Sequence, residues 1–241
     1  MKALMIELKK EKRTGIAPLM LAIGILGAGY ALLNFLIRGD VLLSLPLAPM
    51  DILLTQLYGM VMVLNMFGIV VAACQIYHME FQGNAVKKMH LLPMSIQAMY
   101  FCKFLILTIL LLAALFLQNL ALVWIGITKL PQGTFDRGML LSFASYSIVT
   151  SMPVLSFMLF TALRFENIWI PLGIGVAGFL SGMALATSDL GLFMIHPFVI
   201  MLKPAVAMSA KPDSVVLLMS FAETILFLTA GLWASKRLSF E

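Results

Sequence analysis

Glu223 is the one acid placed well inside an apolar run, in the stretch LLMSFAETILFLTA. A carboxylate in hydrocarbon is costly unless it is paired, protonated or facing water, which makes it a candidate for chemistry or transport. The alternative is a hydrogen bond between helices, with Asn65, Gln118 or Asn119 as partner. A second constellation is Gly178-Phe179-Leu180-Ser181-Gly182 with His196 downstream. A hydroxyl beside a histidine base could form a covalent intermediate, as in an intramembrane serine hydrolase. However, Ser181 stands one place off the G-x-S-x-G arrangement, and small residues at this spacing also serve close helix packing. Cys74 and His78 are four apart, with His90 and Cys102 elsewhere, yet closely spaced Cys and His pairs of the zinc-site type are absent. No G-x-x-x-x-G-K-[ST] phosphate loop occurs, so any ATP is handled by another subunit. No catalytic or metal-ligating residue is assigned. Glu223, Asn65 and His196 are the candidates for a substrate path.

The elements that position these residues follow from composition. Of 241 residues, 62% are hydrophobic and 11% charged, against roughly a quarter charged in an average soluble domain. Too few charges exist to cover a wet surface, and the chain divides into apolar runs of about twenty residues, the length that crosses a hydrocarbon core of roughly 30 Å. Six such spans are expected: Ala17–Ile37, Ile52–Tyr77, Phe104–Ile127, Met139–Leu163, Ile168–Thr187 and Ser214–Ala234. They lack dyad alternation, which excludes a barrel and predicts an all-α integral membrane fold. With the N-terminus inside, eleven of the sixteen Lys and Arg fall on the cytoplasmic side and five outside, so both termini are expected to be cytoplasmic. The net charge of +5 is thus a topology signal, and without a basic stripe interleaved with aromatics no nucleic-acid partner is expected. The first run exceeds the usual length of a secretory signal and is expected to be retained. Cys74 and Cys102 both fall near cytoplasmic helix ends, where a disulfide is not expected.

Three polar interruptions depart from simple connection. In residues 1–13, Met1, Leu4, Met5 and Leu8 recur at helical spacing while Lys2, Glu7, Lys9 and Lys12 take other faces, predicting an interfacial helix. In residues 80–92, Phe81, Ala85, Met89 and Leu92 line one face of a second amphipathic helix, ended by Pro93, with Ser95 as the N-cap of the next span. Its bland alternative is a helix lying on the bilayer, with Lys87 and Lys88 meeting anionic lipid. In residues 188–213, two apolar pieces too short to span are broken by His196-Pro197, which predicts a re-entrant or interfacial hairpin. No soluble domain or internal repeat is present, so 1–241 reads as a single membrane domain.

This order of elements resembles the ABC-2 type permease subunits of ATP-binding-cassette transporters. Within that class, MEFQGNAVKKMHLLPMS and the early IELKKEKR are similar to the lantibiotic self-immunity permeases, in which an acidic residue, a Lys pair, Leu-Pro and a further Lys follow the second span. Glu80, Lys87, Lys88, Leu92, Pro93 and Lys103 stand in those places. The resemblance implies that residues 80–92 form a coupling helix contacting a cytosolic ATPase, with Glu80, Phe81, Ala85, Lys87, Lys88, Met89 and Leu92 as the coupling residues. It further implies two ATPase subunits that carry the ATP and Mg, no cofactor in this chain, and a second permease, identical or related. The chain would lie among the lipids of a bacterial cell membrane and expel an antimicrobial peptide. Another cargo, such as a bacitracin-like antibiotic, a lipid or an ion, is the alternative within the class; a hydrolase or a non-transporting scaffold is the alternative outside it.

Overall fold

The computed structural model describes residues 2–11, 14–81, 95–188 and 191–237, and among them every regular element is a helix. The helices are α1 (Lys2–Glu11), α2 (Ile16–Leu43), α3 (Pro49–Phe81, with a π-helical turn at Ile52–Gln56), α4 (Ile96–Thr128), α5 (Arg137–Arg164) and α6 (Trp169–Ala186). A 3-10 turn, Gly191–Ile195, leads to α7 (Pro197–Val206) and α8 (Ser214–Arg237). Six helices, α2 to α6 and α8, are long and apolar enough to cross a bilayer.

All six expected spans are present, and several extend further than hydropathy suggested. The third begins at Ile96 rather than Phe104, because Ser95 caps it: its Oγ accepts a hydrogen bond from the Ala98 amide at 3.3 Å. The polar residues of that first stretch also find partners inside the protein, with Gln97 donating to the Leu232 carbonyl at 3.2 Å. Asp136 caps α5 through the Gly138 amide at 2.8 Å. Between α1 and α2 the chain turns at Gly15, whose φ of 75° lies in the left-handed region that side chains disfavour.

α3 and α5 are buried along most of their length and form the centre of the bundle, with α2, α6 and α8 on its flanks. α2 packs chiefly on α4 and α3, α8 on α5 and α4, and α6 on α7. The α2–α4 approach is close: a Cβ at Gly24 would stand 2.9 Å from the Ala114 Cα. Small residues at a helix crossing let backbones meet and gain dispersion contacts where no hydrophobic driving force exists between helices.

The 188–213 segment breaks at His196-Pro197, and Pro197 opens α7, where its missing amide costs nothing. α7 has ten residues and buries Phe198, Val199, Ile200, Met201 and Leu202 against α3, α5, α6 and α8. Its Lys203 Nζ donates to the carbonyls of Ala186 and Ser188 at 3.1 and 3.4 Å, satisfying the C-terminal end of α6. The chain after α7 is tied to the first turn of α3 by Ala210, whose amide donates to Asp51 Oδ1 at 2.8 Å.

Candidate functional site

Four charged side chains from three helices meet where α1 crosses the end of α3 and the beginning of α4. Lys103 Nζ lies 2.6 Å from Glu7 Oε2 and 2.7 Å from Glu80 Oε1. Lys10 Nζ lies 2.8 Å from Glu7 Oε1 and 3.4 Å from Glu80 Oε1. Glu7, Glu80 and Lys103 are buried, and Lys10 closes the cluster from its partly exposed side. The Lys103 ammonium also sits 5.5 Å from the centroid of the Tyr77 ring. Burial alone would raise the Glu7 carboxyl, but the Lys103 charge and hydrogen bonds from Lys10 and Lys103 outweigh it and hold Glu7 below the usual carboxylate range. Each charge is stable here because the others are present, since a lone buried ion is penalised far more than a paired one.

This cluster changes how α1 lies. The spacing of apolar residues had put Leu8 on the apolar face of an interfacial helix and Glu7 on another face. In the structure Glu7 is fully buried and Leu8 is 44% exposed. The reason is electrostatic: Lys103 in the first turns of α4 needs a counter-ion, and that requirement sets the rotation of the short helix. The signal available in the sequence was a lysine inside what proved to be a membrane helix, for which an acid elsewhere in the chain should have been sought.

Glu80 and Phe81 are the last residues of α3 and continuous with it. Glu80 faces the cluster, and Phe81 is half-buried against the core. The remaining coupling residues, Ala85, Lys87, Lys88, Met89 and Leu92, lie outside the described residues.

Asn65 and Gln118 form a reciprocal amide pair. Asn65 Nδ2 donates to Gln118 Oε1 at 2.9 Å, and Gln118 Nε2 donates to Asn65 Oδ1 at 2.7 Å. Gln118 also packs on Gly27 of α2, so the pair lies on the α2 side of the bundle. Asn119 Nδ2 donates back to the Leu115 carbonyl at 2.8 Å. None of the three amides therefore serves Glu223, contrary to the pairing considered from sequence. α8 packs on α5 and α4, and it buries Ser220, Glu223 and Thr224 together. The two hydroxyls bond back to Val216 and Ser220 carbonyls of their own helix. Both Glu223 carboxylate oxygens are buried without a hydrogen-bond partner among the described residues.

His196 and Ser181 do meet. His196 Nε2 is 3.1 Å from Ser181 Oγ, which also lies 2.8 Å from the Ala177 carbonyl and 3.1 Å from that of Gly178. A hydroxyl has one proton to give, and a serine bonded back to its own helix gives it to the carbonyl. With the hydroxyl proton directed to that carbonyl, the contact requires the Nε2–H tautomer of His196 as donor to Ser181, the reverse of what a general base requires. His196 Nδ1 is buried without a partner, so no carboxylate orients the ring among the described residues. The neighbouring glycines serve packing: a Cβ at Gly182 would stand 2.7 Å from the Phe198 Cβ, and one at Gly178 would run into the Phe198 ring. Beside this contact a cavity of about 700 Å³ opens between α6, the 3-10 turn and the start of α7. No three His, Cys, Asp or Glu side chains converge as a metal site among the described residues.

Six apolar helices around a largely hydrophobic core, with a short helix locked to their ends by buried charges and a ten-residue helix inserted between the fifth and sixth, define a multi-pass α-helical membrane protein. The family described as ABC-2 family transporter protein matches residues 3–182, and the chain belongs to that family. It is therefore a transmembrane component of a transporter, and the family implies association with an ABC ATPase subunit. No curated protein and no solved structure matches the chain. The matched residues run from α1 into α6 and include the whole charged cluster, whereas α7 and α8 follow them.

Proposed function

We propose that the chain is the permease subunit of an exporter that is powered by two separate ATPase subunits and expels an antimicrobial peptide, conferring self-immunity or resistance. ATP and Mg are handled by those subunits. A second permease, identical or related, completes the path, and both termini face the cytoplasm of a bacterial cell. The supporting observation is the placement of the charged cluster. Glu80 ends the helix from which residues 82–94 depart, Lys103 lies in the helix that follows them, and Glu7 and Lys10 bind α1 to both. A push delivered to residues 82–94 by a closing ATPase would reach three helices at once through bonds that resist separation.

The grip on the ATPase is assigned to residues 82–92, with Met89 the best single probe. Phe81 is less suitable because it packs on the core, where a substitution would disturb folding as well as contact. Met89→Glu removes an anchor worth roughly 1.5–3 kcal/mol and should weaken co-purification of the ATPase by tenfold to a hundredfold while membrane insertion persists. Undiminished complex formation by that variant would refute the assignment. Cargo is tested by killing assays with a cognate peptide, with and without the transporter; protection restricted to a bacitracin-like antibiotic, or transport of a lipid or an ion, would replace the peptide.

One observation favours a different reading. The 3.1 Å approach of Ser181 and His196 is the contact that a serine hydrolase would need. The direction of the proton described above opposes it. Ser181→Ala should leave transport within a fewfold of normal, whereas complete loss of an activity would support the hydrolase.

A further inference from the structure

The cavity beside Ser181 opens to the outside of the protein, so its apolar walls lack dispersion contacts on their open side unless a guest fills it. At about 700 Å³ it falls within the range of ligand sites, and its walls include Phe157, Ile174, Leu192 and Phe193. Among the described residues, polar side chains reach it only from Ser181 and His196, and these are bonded to each other. Its rim continues into an apolar outer surface, with Leu192 72% exposed and Ile195 and Leu180 each 60% exposed. These residues flank a helix long and apolar enough to cross the bilayer, and the opening lies on an exposed apolar side of that helix.

We propose that this cavity holds one acyl chain of a membrane lipid, entering sideways from the bilayer. Hydrocarbon suits it on three counts. It fills the space with dispersion contacts, it brings no hydrogen-bonding groups that the walls cannot satisfy, and it reaches the mouth without crossing water. A peptide segment suits it poorly, because among the described residues only the His196 Nδ1 is left without a partner to meet its amides. Occupied, the site would cement α6 to the 3-10 turn and the start of α7, where Gly178 and Gly182 already receive Phe198. The proposal depends on the chain lying in a bilayer and stands apart from the choice of cargo.

The test uses the full chain, in complex with its ATPase, in nanodiscs that contain a phospholipid with a diazirine midway along one acyl chain. After illumination, labelled residues are mapped by mass spectrometry. Labelling should concentrate in residues 174–185 and 191–198, and Ala177→Trp, which fills the opening, should cut it there at least fivefold while labelling of α2 stays constant. Ile174→Phe provides a second filling variant if the first does not fold. Even labelling over the exposed faces of α2 and α8, or labelling unaffected by both filling variants, would overturn the proposal. So would displacement of the label by a cationic antimicrobial peptide, which would make the peptide the occupant.

Discussion

Lys103 of α4 holds Glu7 of α1 at 2.6 Å across 96 residues of chain, and neither side chain reaches solvent. The bond joins the first helix of the protein to the start of its third span. Around it, Glu80 and Lys10 complete a joint between α1, α3 and α4. Its energetics are asymmetric: the assembled group is close to break-even, whereas removing one member leaves an ion stranded.

Lys103→Met should therefore destabilise the protein by about 3–5 kcal/mol, read as a fall in the thermal transition in detergent. Glu7→Gln should cost less on its own, because Lys103 keeps Glu80. The double variant should cost less than the sum of the two, giving a coupling of about 0.5–3 kcal/mol in a double-mutant cycle. Strict additivity would mean that the two side chains do not interact.

Acid should loosen the same joint. Glu7 is held below its ordinary value of 4.5, so it stabilises the folded chain above that value and the contribution is lost as pH falls through the depressed value. Stability measured downward from pH 7 should thus be flat until about the ordinary carboxylate range and then fall, and Glu7→Gln should shallow that fall. An identical acid limb in the variant would place the titrating group elsewhere.

The amide pair offers a cleaner contrast. Asn65→Leu leaves the Gln118 amide buried without its partner and should cost about 1–3 kcal/mol. Asn65→Leu combined with Gln118→Leu removes both ends and should recover much of that loss, because two apolar groups need no partner. If the double variant is as unstable as the single one, packing against Gly27 rather than hydrogen bonding governs the site.

Glu223 separates stability from function. Its two oxygens have no partner among the described residues, so Glu223→Gln should leave thermal stability unchanged or raise it, in contrast to the variants above. Export should fall at least tenfold if the carboxyl serves the substrate path. A clear loss of stability would instead reveal a hydrogen-bonding partner.

Much of the architecture could be read from residue order. Long apolar runs require helices in lipid, so the six spans emerged with their centres right, and Ser95 announced a helix start by its own chemistry. The break at His196-Pro197 was legible for the same reason. Side-chain partners were not. A span that is apolar on all sides carries no periodic signal of its rotation, so nothing local indicated that Asn65 would face Gln118 instead of Glu223. Lys103 was counted as a topological charge because the counting rule ignores depth. The Ser95 cap already placed the lysine within the helix, but its need for Glu7 became visible only when α1 was seen to pack against the start of α4.

The two carboxylates and two ammonium groups of the joint add to zero formal charge. A transmembrane voltage exerts about 2.3 kcal/mol per elementary charge per 100 mV, so it does almost no work on a group that moves as a balanced whole. Moved as a balanced whole, the joint would be displaced with the same ease in an energised cell and in one whose membrane potential has collapsed.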